Sequence, residues 1–136
     1  MKEATRDLLR DVGLLILRVG AGGLMLVHGV PKLERLLDGG GFADPIGIGP
    51  TPSLALAVFA EVGCSIALAL GLLTRLATLP LITTMLVAVL VVHADDPWSK
   101  KELGLLYLVP YLTLLLAGPG RFAVDAKLKG RLGALR

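Results

Sequence analysis

Five ionisable side chains stand within apolar sequence or at its edges. Arg18 and His28 lie in a first apolar stretch and Glu61 in a second; His93 closes a third and Glu102 opens a fourth. On insertion scales a charge at the centre of a bilayer costs about 2.5–3.5 kcal/mol, so groups kept in such places are candidates for function. Arg18 is a permanent cation with a forked set of donors. Glu61, shielded from water, could accept or release a proton if its charge were imperfectly paired. If these groups converge, they form a polar pocket that binds a small molecule or passes protons. Arg18 and Glu61 alone would form a structural ion pair that fixes the register of two helices. Both readings stay open at this point.

Other chemistries find less footing. His28 and His93 could ligate a metal or haem from opposite helices, but no second pair and no carboxylate motif accompanies them. Histidines bonded to loops or water at the membrane interface are the simpler account. The single thiol, Cys64, rules out an internal disulfide and a two-thiol relay within the chain, and reads as a small apolar residue packed in a helix. Val19-Gly-Ala-Gly-Gly follows no strand, so it is no dinucleotide loop. There is no nucleophile paired with a base, and no haem, flavin or metal motif.

The elements that must position these groups are set by composition. Hydrophobic residues make up 54% of the chain and the mean hydropathy is +0.76, more apolar surface than a soluble domain of 136 residues can hide. Charged residues collect at the ends and between the apolar runs, as lipid requires. The net charge of +3 suits anionic headgroups. It does not suit nucleic acid, because 4% aromatic residues leave no stacking platform. A crossing helix needs about 20 apolar residues. Four spans are expected at Val12–Val30, Leu54–Leu73, Leu76–Val92 and Leu103–Ala117, the last short but extendable by a turn. The first resembles a signal peptide, yet it contains Arg18 and no clean cleavage site follows, so it reads as a retained span. Pro31–Ser53 reads as a long Gly/Pro-rich loop. Pro80 and Pro110 are tolerated kinks. The tail from Gly118 to Arg136 reads as a basic segment lying along the membrane surface. The fold class is therefore an all-α integral membrane four-helix bundle, one domain over residues 1–136.

Orientation follows from the basic residues. Lys2, Arg6, Arg10, Arg75, Arg121, Lys127, Lys129, Arg131 and Arg136 fall on one side; Lys32, Arg35, Lys100 and Lys101 fall on the other. The richer side is expected in the cytoplasm, which puts both termini inside. Counting from the inner ends, Arg18 lies roughly 9 Å and Glu61 roughly 18 Å along their helices. Glu61 then falls between Arg18 and His28, with His93 and Glu102 near the outer mouth. Arg18, Gly22, Met25 and Gly29 share one helix stripe, and Ala57, Glu61, Cys64, Ser65 and Leu68 share another. Both stripes set small residues beside the charge, as a close helix contact requires.

The order of motifs carries a resemblance. Leu17-Arg-Val-Gly is followed by Val27-His-Gly-Val-Pro-Lys, then Ile48-Gly-Pro, Phe59-Ala-Glu-Val-Gly and Leu70-Gly-Leu-Leu-Thr-Arg, and the last span closes with Leu116-Ala-Gly-Pro-Gly-Arg-Phe-Ala-Val-Asp-Ala. From about Leu14 to Ala126 the chain resembles the DoxX family of small bacterial membrane proteins. The resemblance implies a four-helix bundle in the bacterial cytoplasmic (inner) membrane and a redox subunit linked to quinones, sulfur compounds or oxidative stress. It leaves catalysis undecided and the cofactor unknown, with a quinone open. It marks Arg18, His28, Gly29, Lys32, Glu61, Gly71, Glu102, Gly118, Pro119, Gly120, Arg121 and Asp125 as family positions; Ala123 stands where the closing motif often has Ser. The expected partners are the bilayer, soluble or membrane redox proteins, and further copies of the chain. Two other functions remain: a non-catalytic anchor for soluble redox enzymes, docked on Arg75 and the basic tail, and transport of a small solute, for which four spans are few.

Overall fold

A backbone surrounded by hydrocarbon must bond its own amides. The computed structural model, which describes residues 1–128, does so with helices and no strand among those residues. The helices are α1 (Glu3–Leu37), α2 (Pro50–Leu70), α3 (Thr74–Val92), α4 (Trp98–Ala117) and a single short turn, α5 (Val124–Lys127). The first three are long and apolar enough to cross a membrane. α4 carries Lys100, Lys101 and Glu102 near its start, which leaves Leu103–Ala117 as its apolar part.

The observed bounds correct the expected ones where helix continues past its apolar window. α1 has 35 residues, about 52 Å, because polar helix formers extend it at the N-terminal side. Pro31 lies inside it and removes one amide bond without ending it. The connector is therefore 38–49 and not the longer loop expected from Pro31. α2 begins four residues early, with Pro50 in its first turn, where a missing N–H costs nothing. It stops at Leu70 because Gly71 turns left-handed at φ 73°. α3 starts within two residues of its expected position.

Two segments wind wider than an α-helix: Phe59–Cys64 within α2 and Ala88–Val92 at the end of α3. Such π-turns are rare and recur at functional sites. Nothing in periodicity announces them.

α1 packs on α2 and α4, and α3 packs on α2 and α4. Met25, Leu68, Leu81, Tyr111 and Leu114 are buried between them. Ile16, Leu24, Val27, Leu90, Leu106 and Leu116 point outward and are exposed, an apolar exterior suited to lipid. Gly22 and Gly29 let α1 and α2 touch: a Cβ at Gly22 would lie 2.6 Å from the Ser65 carbonyl oxygen, and one at Gly29 2.6 Å from that of Glu61.

The closing segment departs most from expectation. Gly118–Asp125 does not lie along a surface; it folds back between the start of α1 and the α2–α3 turn, and Asp125 is fully buried. The expected surface position of the tail beyond Leu128 falls outside the described residues.

Candidate functional site

Gly22 against Ser65 and Gly29 against Glu61 fix the antiparallel register of α1 and α2. In that register Arg18 is level with Ala69, and Glu61 is level with Gly29. The expected pairing of Arg18 with Glu61 is overturned. The two charges stand 11 residues apart in register, about 16 Å along the helices. Counting from apolar-window ends sets the helices about one turn out, because both windows end away from the true helix ends.

Arg18 is almost fully buried, and its guanidinium is spent on three backbone carbonyls. Nη1 donates to Ala69 at 2.7 Å, Nη2 to Phe122 at 2.8 Å and Nε to Pro119 at 3.0 Å. Asp125 completes this clasp from the other side. Its carboxylate accepts the amides of Leu73 at 2.7 Å and Thr74 at 3.0 Å, and the Thr74 hydroxyl at 2.9 Å. It thus caps α3 from a distant part of the chain. The caps hold Leu73, which has a left-handed φ of 47°, at a backbone cost of about 1–2 kcal/mol. A Cβ at Gly71 would collide with Ala123 and the Arg18 guanidinium. Asp11, also buried, faces Arg10 at 3.4 Å and Arg121 at 3.5 Å. The family positions Arg18, Gly71, Gly118, Pro119, Gly120, Arg121 and Asp125 therefore gather at one end of the molecule, where the polar bonds go to backbone, to the Thr74 hydroxyl or to a neighbouring charge.

Glu61 sits differently. Its side chain is 2% exposed and lies in the π-turn of α2, and its ion pair is with Lys32 at 2.6 Å. Helical side chains lean toward their own N-terminus. Lys32, one turn beyond Gly29, accordingly leans back to the level of Glu61, with 30% of its side chain exposed. The Phe42 ring lies 5.9 Å from its ammonium.

A cavity of about 190 Å³ opens here, lined by His28, Lys32, Glu61, His93, Lys100 and Tyr107 with Met25, Met85 and Gly104. The His28 ring stands edge-on to Tyr107, centroids 5.7 Å apart, and Tyr107 stacks on Tyr111 at 6.1 Å. The Tyr111 hydroxyl is buried and has no hydrogen-bond partner among the described residues. His93 reaches the cavity wall while its Nδ1 lies 2.7 Å from Asp96.

The candidates thus divide. His28, Glu61 and His93 share one cavity; Arg18 belongs to the clasp; Glu102 lies exposed on the first turns of α4, outside the cavity. Three lining or adjoining groups escape a charge-by-span reading: Lys100, Tyr107 and Tyr111. Lys100 lies in a connector by hydropathy, although it falls in the first turn of α4. The tyrosines at i and i+4 mark one face of α4, a signal open to a reader who counts phenols as polar. Cys64 is buried in the core.

The connector covers the far side of Glu61. Asp44 accepts the Gly49 amide at 2.8 Å, the Ile48 amide at 3.0 Å and the Ser53 hydroxyl at 2.8 Å. The Ser53 hydroxyl and these amides hold its carboxyl below the usual range, against a smaller opposing effect of burial. Phe42, Pro45 and Ile46 are thereby laid over a second recess beside Lys32 and Glu61.

One family model, DoxX, matches residues 13–94, from α1 through the end of α3. No curated protein and no solved structure matches.

Proposed function

Since this chain belongs to the DoxX family and is a membrane protein by its apolar helices, we propose that it is a component of a membrane redox system whose Lys32–Glu61 cavity holds a quinone headgroup. The observation that carries the reading is the cavity itself: a buried carboxylate with a single ammonium partner, flanked by two histidines and a tyrosine pair. A quinone ring presents carbonyl acceptors and a flat face. The Lys32 ammonium supplies donors, and Tyr107 and His28 supply aromatic walls. Reduction of a quinone oxygen requires a proton there, and Glu61, paired with Lys32 and shielded from water, is placed to exchange one. Electrons would come from a partner oxidoreductase. In this reading the protein is a four-helix bundle in the bacterial cytoplasmic membrane, α4 crossing with a polar first turn, and both termini face the cytoplasm.

The test is quinone binding to the purified protein in nanodiscs, wild type beside Glu61→Gln, with thermal unfolding in parallel. Saturable binding that disappears in a folded Glu61→Gln protein supports the reading. Absence of binding to wild type, or equal binding by both, ends it.

A second reading, an anchor for soluble enzymes, is favoured by one feature. Arg10, Arg75 and Arg121 border a recess of about 590 Å³ at the clasp end, and the Arg75 guanidinium, which donates through Nη2 to the Leu116 carbonyl at 3.2 Å, has a buried Nε without a partner among the described residues. Charge reversal at Arg75 should then abolish function while Glu61→Gln does not.

A further inference from the structure

We infer that the ligand of the polar cavity is an amphiphile that enters sideways from the bilayer, and that its single apolar tail lies in the groove between α2 and α3. This rests on the reading that the Lys32–Glu61 cavity takes a quinone headgroup, so the occupant is a long-tailed lipid quinone.

Three spaces adjoin. The polar cavity of about 190 Å³ has Lys32 and Glu61 in its wall. The same two residues line the second recess, of about 170 Å³, beneath the connector. That recess shares Leu56, Thr83 and Thr84 with an open groove of about 820 Å³. The Glu61 carboxylate thus stands where a small polar space meets a path to a large apolar one.

The groove has the shape a tail needs. On α2 it runs from Leu56 to Ala67, and along α3 from Thr84 back to Leu73, the residue just before that helix. Each wall is 12 residues, about 16 Å from first to last, roughly half the ~30 Å hydrocarbon core. Apart from Thr83 and Thr84 its lining is apolar, and Thr83 and Thr84 spend their hydroxyls on the carbonyls of Leu79 and Pro80. The groove therefore offers a tail no unsatisfied side-chain hydroxyl. The π-turn Phe59–Cys64, which includes Gly63 with no side chain, lies on one wall, and Pro80 lies on the other. The polar spaces are too small for a long tail, and the groove has no charged group for a head. The combination selects a small head on a long apolar chain.

Gly63 provides the test. A Cβ there would meet only the Phe59 ring at 3.8 Å, so a larger side chain enters the groove without striking the core. The experiment measures, in nanodiscs, the affinity of long-tailed and tail-less forms of one benzoquinone for wild type, Gly63→Leu and Glu61→Gln. With both affinities referred to quinone already dissolved in the nanodisc lipid, wild type is expected to prefer the long-tailed form severalfold, because a fitted groove packs a tail more closely than fluid lipid does. Gly63→Leu should erase that preference and leave tail-less binding unchanged. Leu79→Trp, from the exposed opposite wall, gives the same readout should Gly63→Leu fold poorly. Equal binding of the two forms by wild type, or a preference that survives both fillings, overturns the tail site while the headgroup reading stands. Loss of co-purified phospholipid, or a change of oligomeric state, with the quinone preference intact would assign the groove to a lipid or a second copy and equally overturn it. If neither form binds wild type, the headgroup reading has failed and the tail site falls with it.

Discussion

Arg18 and Glu61 are both buried charges on the same pair of packed helices, yet their surroundings differ in kind. The guanidinium has three backbone carbonyls within 2.7–3.0 Å from two separate segments. Its bonds define where α2 and the closing segment lie. The carboxylate has one ammonium partner, itself partly exposed, and it borders two cavities. A buried charge that is fully bonded to backbone fixes structure, because removing it orphans every acceptor it served. A buried charge with one partly exposed partner and a cavity beside it has room for a ligand. Burial alone separates nothing here; what separates the two is where the hydrogen bonds go.

Mutations should break the comparison in order of size. Arg18→Met should be the most damaging: it leaves three carbonyls without their charged donor, and about 3–5 kcal/mol of stability should be lost. Thermal unfolding in nanodiscs reads this out, and Arg18→Lys should recover only part of it because an ammonium cannot match the fork. An Arg18→Met protein as stable as wild type would remove the clasp as a structural device. Gly22→Leu comes next. Its side chain would press on the Ser65 carbonyl and force α1 from α2, at about 1–3 kcal/mol; crosslinks engineered between the two helices should lose yield. Glu61→Gln should cost only about 1 kcal/mol while removing ligand binding. If it proved as destabilising as Arg18→Met, the contrast between the two regions would collapse.

The smallest effect belongs to Asp44. Its carboxyl titrates below the usual value because Ser53 and the loop amides bond its charged form. Its contribution to loop order is complete above the ordinary carboxylate pKa of 3.8. It is lost as the pH falls through the lower folded value. Amide exchange at Ile48 and Gly49 should therefore accelerate only at strongly acid pH, and in Asp44→Asn it should be fast throughout.

The helical class and the first three crossing segments were legible in hydropathy, since lipid allows few alternatives. Register was not. Apolar windows mark where hydrocarbon suits the side chains, whereas register depends on which glycines touch which carbonyls, and Gly22 and Gly29 name no partner by themselves. That one-turn error produced the false Arg18–Glu61 pair. The role of Asp125 was equally hidden: it is separated from Thr74 by 51 residues, and a helix cap from so far away has no local signature. His28, Glu61 and His93 were legible as costly residues, but Lys32 could be named their partner only once α1 was seen to continue through Pro31.

The clasp also has a history within each molecule. Two of the three carbonyls that hold Arg18 belong to Pro119 and Phe122, which follow it by 101 and 104 residues. A chain threaded into the membrane from its N-terminus must carry that guanidinium through synthesis of every other long helix before its last two acceptors exist. The bundle is therefore locked by the part made late. A chain ending before Pro119 would keep its long helices but leave the arginine with the Ala69 carbonyl alone of its three acceptors.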